Sequence, residues 1–361
     1  MRIRRRGAVN FSVVRAGLAC AVFLCPTRAL RASDDFGAQK SIFAITDEDD
    51  SYTYPWTQHT DRHFTHGIKF SYMDGFGPAG DPPRFLERAL GWSSMSDYSS
   101  WGGVLGQNMY TPETILAPAP IPSDRPYAGW FYAGPVYERE RRLSDNLFVL
   151  DSFEADLGMV GPDSMAGATQ KQFHRMFFPD DVPQGWRNQI KNEPGLVLKY
   201  QQSWRYSPTP ATAHFVDVLP RAGFDLGNVF TFGTAGVTGR LGWNLPPDFG
   251  EATIDSPGSP NSGFTRDGGW LSVYVFGGLD GRVVGQNITL DGSWFRSDPT
   301  VNPEAFVADV SYGFALLVNP SFRLPQLELS FTHIERTHEF HGQSGNDVFG
   351  SLTLKMNWSF P

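Results

Sequence analysis

The sequence has few cysteines, no surplus of positive charge and no long apolar run. Its two cysteines, Cys20 and Cys25, both fall near the N-terminus. Once that segment is removed, the chain has no thiol for a disulfide, a thiolate metal site or a cysteine nucleophile. Thirty Lys and Arg stand against 38 Asp and Glu, a formal net charge of −8. No basic tract occurs beyond the N-terminus, so a nucleic-acid partner has no electrostatic footing. After residue 25 nothing approaches the roughly 20 apolar residues of a transmembrane helix. No serine sits in a G-x-S-x-G elbow, which removes that nucleophile signature as well.

The N-terminus itself is legible. Arg2, Arg4, Arg5, Arg6 and Arg15 precede an apolar run from Ala16 to Cys25, and small residues follow around Ala29 and Ala32. A charged start, a short apolar core and an Ala-type cleavage site predict a secretory signal peptide over 1–32. Neither cysteine has the flanking residues of a lipoprotein site. Residues 33–361 are expected to form one domain.

The clearest pattern in that domain is at its end. Leu352, Leu354, Met356, Trp358 and Phe360 alternate with Ser351, Thr353, Lys355, Asn357 and Ser359. Strict period two gives one apolar and one polar face. The last strand of a soluble sandwich shows the same period. The aromatic ending and the export signal favour an outer-membrane strand, with lipid on one side and a wet lumen on the other.

Alternating sets recur at Leu147, Val149, Phe153, Ala155, Leu157 and Met159, broken by Asp151. Others are Leu196, Leu198, Tyr200 and Trp204, and Ala308, Val310, Tyr312, Phe314 and Leu316. Further strand-like runs lie near 41–47, 65–73, 101–109, 127–140, 214–226, 229–243, 270–283, 285–295 and 326–337. Pro- and Gly-rich stretches at 74–83, 117–126 and 255–263 read as loops. The expected fold is all-β: a transmembrane antiparallel β-barrel of about twelve strands. Lipid admits a sheet only when it closes, because every backbone polar group must be paired. Residues 164–178 lack alternation and suggest a short helix in a rim loop, with Gln170 and His174 on one face four residues apart.

Four constellations carry candidate chemistry. Glu48-Asp49-Asp50 offers hard oxygen ligands suited to Ca²⁺, or else a solvated acidic turn; an EF-hand is excluded by spacing. The stretch 60–67 gathers charge, hydroxyl and imidazole at a strand entrance, but His59, His63 and His66 lack a helical zinc spacing. In 123–130, Arg125 could grip a phosphate or carboxylate bidentately, or else shape a turn with Asp124. In 170–174, His174 could serve as a general base near neutral pH. Without a serine elbow or a thiol, a hydrolase here would use histidine to activate water and a metal to hold the oxyanion.

Together these stretches resemble the outer-membrane lipid A 3′-O-deacylase family, from about residue 41 to the C-terminus. Asp61-Arg62-His63-Phe64-Thr65-His66-Gly67 is similar to the family's D-R-x-Y-T-x-G. Also similar are Gly106-Gln107-Asn108-Met109-Tyr110-Thr111-Pro112, Asp124-Arg125-Pro126-Tyr127-Ala128-Gly129, Gln170-x-x-x-His174 and Gln184-Gly185-Trp186. Later matches are Gly227-Asn228-Val229-Phe230-Thr231, Arg240-Leu241-Gly242-Trp243-Asn244, Leu290-Asp291-Gly292 and Glu339-Phe340. The resemblance implies a twelve-stranded, Ca²⁺-dependent esterase of the bacterial outer membrane. Its expected partners are that membrane and lipid A of lipopolysaccharide, from which it would cut the 3′-linked acyloxyacyl group. It implies that His174 is the base activating water, with Thr65 and Arg125 lining the active site; Gln170, one turn before His174, is placed to hold its ring or the substrate. It places Asp50 in the calcium site, beside Asp49, where the family carries Asn. That departure adds a carboxylate. Readings of another class are a non-catalytic porin or scaffold barrel, or a phospholipase of the same membrane.

Overall fold

The computed structural model describes residues 41–52, 61–75, 77–78, 98–258, 270–319 and 325–358. The proposed signal segment, His59, Thr60, Ser359 and Phe360 lie outside the described residues. Twelve long strands follow in order: β1 (Ser41–Asp49), β2 (His63–Met73), β3 (Tyr98–Thr111), β4 (Ala128–Ser144), β5 (Leu147–Val160) and β6 (Glu193–Tyr206). Then come β7 (Val216–Gly227), β8 (Phe230–Trp243), β9 (Leu271–Asn287), β10 (Phe306–Val318), β11 (Gln326–Arg336) and β12 (Asp347–Trp358). A two-residue piece, Gly77–Pro78, pairs with the start of β3. Each strand lies antiparallel to its sequence neighbour. β1 pairs with β12 from Ser41↔Trp358 to Asp49↔Gly350, which closes the barrel and leaves the wall without an edge.

The alternation read from the sequence maps onto the wall with its usual sense reversed. On β12 Ser351, Thr353 and Lys355 are buried, while Leu352 and Leu354 are exposed. The same holds on β9, where Ser272 is buried and Val273, Val275 and Leu279 face out, and on β10 with Val310, Tyr312, Phe314 and Leu316 outward. A soluble barrel could not leave so continuous an apolar band in water; against hydrocarbon it is the favourable arrangement. Among the described residues no helix is long and apolar enough to cross a membrane, so the strands do the crossing.

The run at 285–295 departs from expectation. Its first residues finish β9, and a helical turn, Ile288–Asp291, follows. Asn287 caps that turn by accepting from Thr289 N, and Gly292 ends it at φ 71°. Cap residues of this kind favour a helix start over strand continuation.

The lumen is filled. After β8, residues 244–258 turn inward and run up the inside of the wall. Leu245 packs with Tyr274 and Phe276, Phe249 with Leu150, and Ile254 joins the inner cluster of Phe64, Tyr110 and Phe349. Arg240 donates to Asp217 on β7 and to Asp248 of this segment. Lys69 donates to Glu154 and to Ser256 O, and Lys199 lies 3.0 Å from both Glu154 and Asp156. Arg282 and Arg336 both bind Asp309 and reach Asp255. A luminal cavity of about 140 Å³ remains, lined by Glu48, Arg221, Asp225 and Asp255 among others. Among the described residues this is a plugged interior, not an open bore.

Candidate active site

The strand pleat decides which acidic residues share a site. On β1, Thr46 and Glu48 are buried inward positions, and Asp47 and Asp49 alternate with them on the outer face. Glu48 accepts a hydrogen bond from Ile254 N of the plug at 2.9 Å. The three consecutive carboxylates read as one oxygen set are therefore split by the wall, and Glu48 stands outside the candidate metal group. A bulge between Phe64 and His66 on β2 keeps Phe64 inward. The bulged residue, Thr65, is buried and bonds Thr111 Oγ1 at 2.7 Å.

The loop 161–192 folds over the outside of this wall. Gly129 of β4 faces outward, and a side chain there would strike Ser164 Oγ and the Ala166 methyl. Gln107 of β3 donates to Ser164 O at 2.6 Å. Met109, Tyr127, Ala166 and Trp186 form one buried cluster beneath the loop. Helix α1 (Ala166–Phe177) emerges here, within the stretch where alternation fails. Its buried face is Ala166, Gly167, Gln170 and His174. Gly167 lies under the Trp186 indole, where a Cβ would sit 2.8 Å from a ring carbon. Phe173, Met176 and Phe177 stay exposed on the same helix.

Between α1 and the wall lies a cavity of about 730 Å³. Asp49, Asp50, Thr65, Gln170 and His174 all line it. Its apolar lining includes Leu116, Phe173 and Phe178. His174 Nε2 is 3.1 Å from Asp61 Oδ2. A carboxylate only accepts, so Nε2 carries the proton and Nδ1 the lone pair. His174 Nδ1 is buried and has no hydrogen-bond partner among the described residues. Asp61 is fixed in turn: its Oδ1 accepts from Gln170 Nε2 at 3.0 Å, and Gln170 Oε1 accepts from Trp186 Nε1 at 2.6 Å. Asp61 and Trp186 belong to recognised motifs, yet their roles were not read from the sequence. The only available signal was the acidic residue opening 61–67, whose histidine partner is remote along the chain.

Asp50 is buried and accepts from Arg62 N at 2.6 Å. Burial first, then the carboxylates of Asp49, Asp61 and Asp347, pushes its carboxyl well above the usual range against that hydrogen bond. Among the described residues neither Asp49 nor Asp50 forms an ion pair with a Lys, Arg or His. A buried carboxylate, Asp50, beside a half-buried one, Asp49, with no paired cation is an electrostatic fit for a hard divalent ion. Among the described residues no three His, Cys, Asp or Glu cluster closely enough to cage a metal by themselves. Any ion here would complete its shell from hydroxyls, backbone carbonyls, water or substrate.

Arg125 lies elsewhere. Its guanidinium is buried, donates to Glu339 and to Thr289 Oγ1 at 2.9 Å each, and stacks 4.7 Å from the Tyr110 ring centre. It is not among the side chains lining the cavity. Carboxylate pairing, one of its two sequence readings, has Glu339 as the partner rather than Asp124. Asp124 binds the Arg125 backbone N–H and approaches His63 at 3.3 Å. His63 also holds Asp347 at 2.6 Å and joins β2 to the loops above it. It lies on a different set of contacts from His174.

A family model described as outer membrane protein LpxR matches residues 17–358. Among solved structures, LpxR from Salmonella typhimurium is similar at 19% identity and a TM-score of 0.66, covering 88% of this chain and 100% of that one. The β domain of the Bordetella autotransporter BrkA is similar at 9% identity, TM-score 0.46, over 90% of this chain and 100% of that one. The translocator domain of NalP from Neisseria meningitidis follows at 10% identity, TM-score 0.39, over 91% of this chain and 90% of that one. No curated protein sequence matches the chain.

Proposed function

The chain belongs to the LpxR family of outer-membrane proteins, and from that premise we propose that it is a lipid A 3′-O-deacylase. One observation carries the reading. An oriented histidine and two carboxylates that form no ion pair among the described residues share a cavity on the lipid side of the barrel wall, not in its lumen. An ester at the outer-leaflet surface would reach them sideways, past Leu116 and the exposed Phe173. A porin reading finds no support in the plugged interior.

In this mechanism Asp61 keeps the His174 proton on Nε2. Nδ1 then takes a proton from water while the water oxygen attacks the acyl carbonyl. The tetrahedral species collapses, the bond to the sugar oxygen breaks, and the leaving alkoxide recovers the proton from His174. Gln170, held by Trp186, steadies Asp61, and Thr65 supports the wall beside it through Thr111, whose hydroxyl donates to Asp61 O at 3.1 Å. Asp50 and Asp49 would hold Ca²⁺, which when bound supplies a Lewis acid for the carbonyl oxygen. Arg125 would act at one remove, by fixing Glu339 and the loops over the lumen.

The test is direct. Purified protein in detergent, given lipid A and Ca²⁺, should release the acyloxyacyl acid and leave the 2′-amide-linked chain. Equal activity on glycerophospholipids would move the assignment to a phospholipase. No ester cleavage on either substrate would remove the hydrolase reading.

A further inference from the structure

Helix α1 leaves two unlike flanks uncovered, one on each side of the face that it buries. One flank is apolar. Phe173, Met176 and Phe177 are 50%, 63% and 58% exposed, and the Phe173 and Phe177 ring centres lie 4.9 Å apart. The other flank is basic. Lys171 and Arg175 stand one turn apart on it, and neither forms an ion pair among the described residues. The helix itself carries no acidic residue. Asp180 and Asp181 follow only after Pro179, and Asp181 lines the cavity.

What these flanks meet follows from where the loop is seated. It rests on outward positions of two strands, Gln107 of β3 and Gly129 of β4. Two residues before Gln107 on β3, Leu105 is exposed on the same outer face, and so is Leu157 on β5. Two residues of strand advance about 7 Å, comparable to the headgroup layer over the hydrocarbon, about 5–7 Å on each side. The helix therefore begins where the lipid-facing band of the wall ends. Aromatic and aliphatic residues on one side with Lys and Arg on the other are the pattern of a helix lying in a membrane interface.

We propose that α1 is an interfacial helix. Phe173, Met176 and Phe177 enter the acyl layer of the outer leaflet, and Lys171 and Arg175 bind the anionic headgroups of the lipids around the barrel. The partner is the surrounding membrane surface, not the molecule being cleaved, so the inference stands apart from the deacylase reading.

The chain beyond residue 25 has no cysteine, so single cysteines can carry a nitroxide. Met176→Cys reports the apolar flank, and Ala168→Cys, one turn before Lys171, reports the basic one. Leu157→Cys reports the wall. Each labelled protein would be reconstituted in vesicles of phosphatidylcholine, with or without phosphatidylglycerol. Electron paramagnetic resonance would then measure its accessibility to oxygen and to an uncharged nickel chelate. The label at 157 should favour oxygen in every sample, which establishes that the barrel is inserted. The label at 176 should favour oxygen and the label at 168 the chelate. Phosphatidylglycerol should raise the oxygen-to-chelate ratio at 176 by about fivefold, the scale of one cation held at an anionic surface. Lys171→Gln combined with Arg175→Gln should abolish that rise and leave the ratio at 157 unchanged. Equal ratios at 176 and 168 would overturn the proposal. So would a ratio at 176 that ignores phosphatidylglycerol, or a rise that persists in the double variant.

Discussion

Two groups of buried charge lie on opposite sides of one sheet, and they are built differently. Inside the barrel much of the buried charge is paired between side chains, although Glu48 has a backbone N–H and Glu138 a serine hydroxyl in place of a cation. Arg240 serves Asp217 and Asp248, Lys69 and Lys199 serve Glu154, Lys199 also reaches Asp156, and Lys355 lies 2.8 Å from Glu328. Outside, between the wall and α1, Asp49 and Asp50 form no ion pair among the described residues, and His174 Nδ1 has no partner among them. Buried charge is tolerated only when compensated. The ion pairs of the lumen meet that condition with the barrel's own residues, so those charges read as architecture. The outer cavity does not meet it, so its charges read as a place for an ion, a water and a substrate.

Removing the ion should have the largest effect. Excess chelator should take lipid A hydrolysis to background, and Asp50→Asn should demand more Ca²⁺ for the same rate, followed by titrating activity against free Ca²⁺. Activity indifferent to chelator would erase the distinction between the two sides. Next is the base: His174→Asn should lower kcat by about 10²–10⁴-fold while the barrel still resists unfolding in detergent. Asp61→Asn, which leaves the ring but not its proton arrangement, should cost roughly tenfold or more, read as kcat at saturating lipid. The smallest effect on turnover belongs to the other side of the wall. Arg240→Met strands Asp217 and Asp248, and should lower stability by about 3–5 kcal/mol with little change in activity per folded molecule. If Arg240→Met reduces kcat as His174→Asn does, the lumen is more than scaffold.

The strands were legible because lipid and lumen impose period two, and the last strand carries it from Ser351 to Trp358 without interruption. The helix was legible as the absence of that period, and the Gln170–His174 spacing matched its buried face. The same rule explains what was missed. Glu48, Asp49 and Asp50 look like one group in the sequence, but pleating sends Glu48 to the plug and Asp49 to the lipid side. The 285–295 run has strand-like composition, yet Asn287 and Gly292 bracket a helical turn. The inward path of 244–258 carries no periodic signal, since a loop rich in Pro and Gly reads alike inside or outside. Asp61 could be seen as a motif residue but not as the partner of His174, because only the fold of loop 161–192 brings them together. Arg125 was placed at the active site by resemblance, and the structure puts its guanidinium on Glu339 instead.

The central claim is that the outer cavity, through His174, acts on lipid A. Mass spectrometry of lipid A from cells expressing the wild-type chain or His174→Asn at equal barrel levels tests it most directly. The account predicts loss of the 3′-acyloxyacyl mass with wild type and an intact lipid A with His174→Asn. Unmodified lipid A in both strains, under conditions where the purified wild type has its Ca²⁺, would contradict it, and so would the same deacylated product from both.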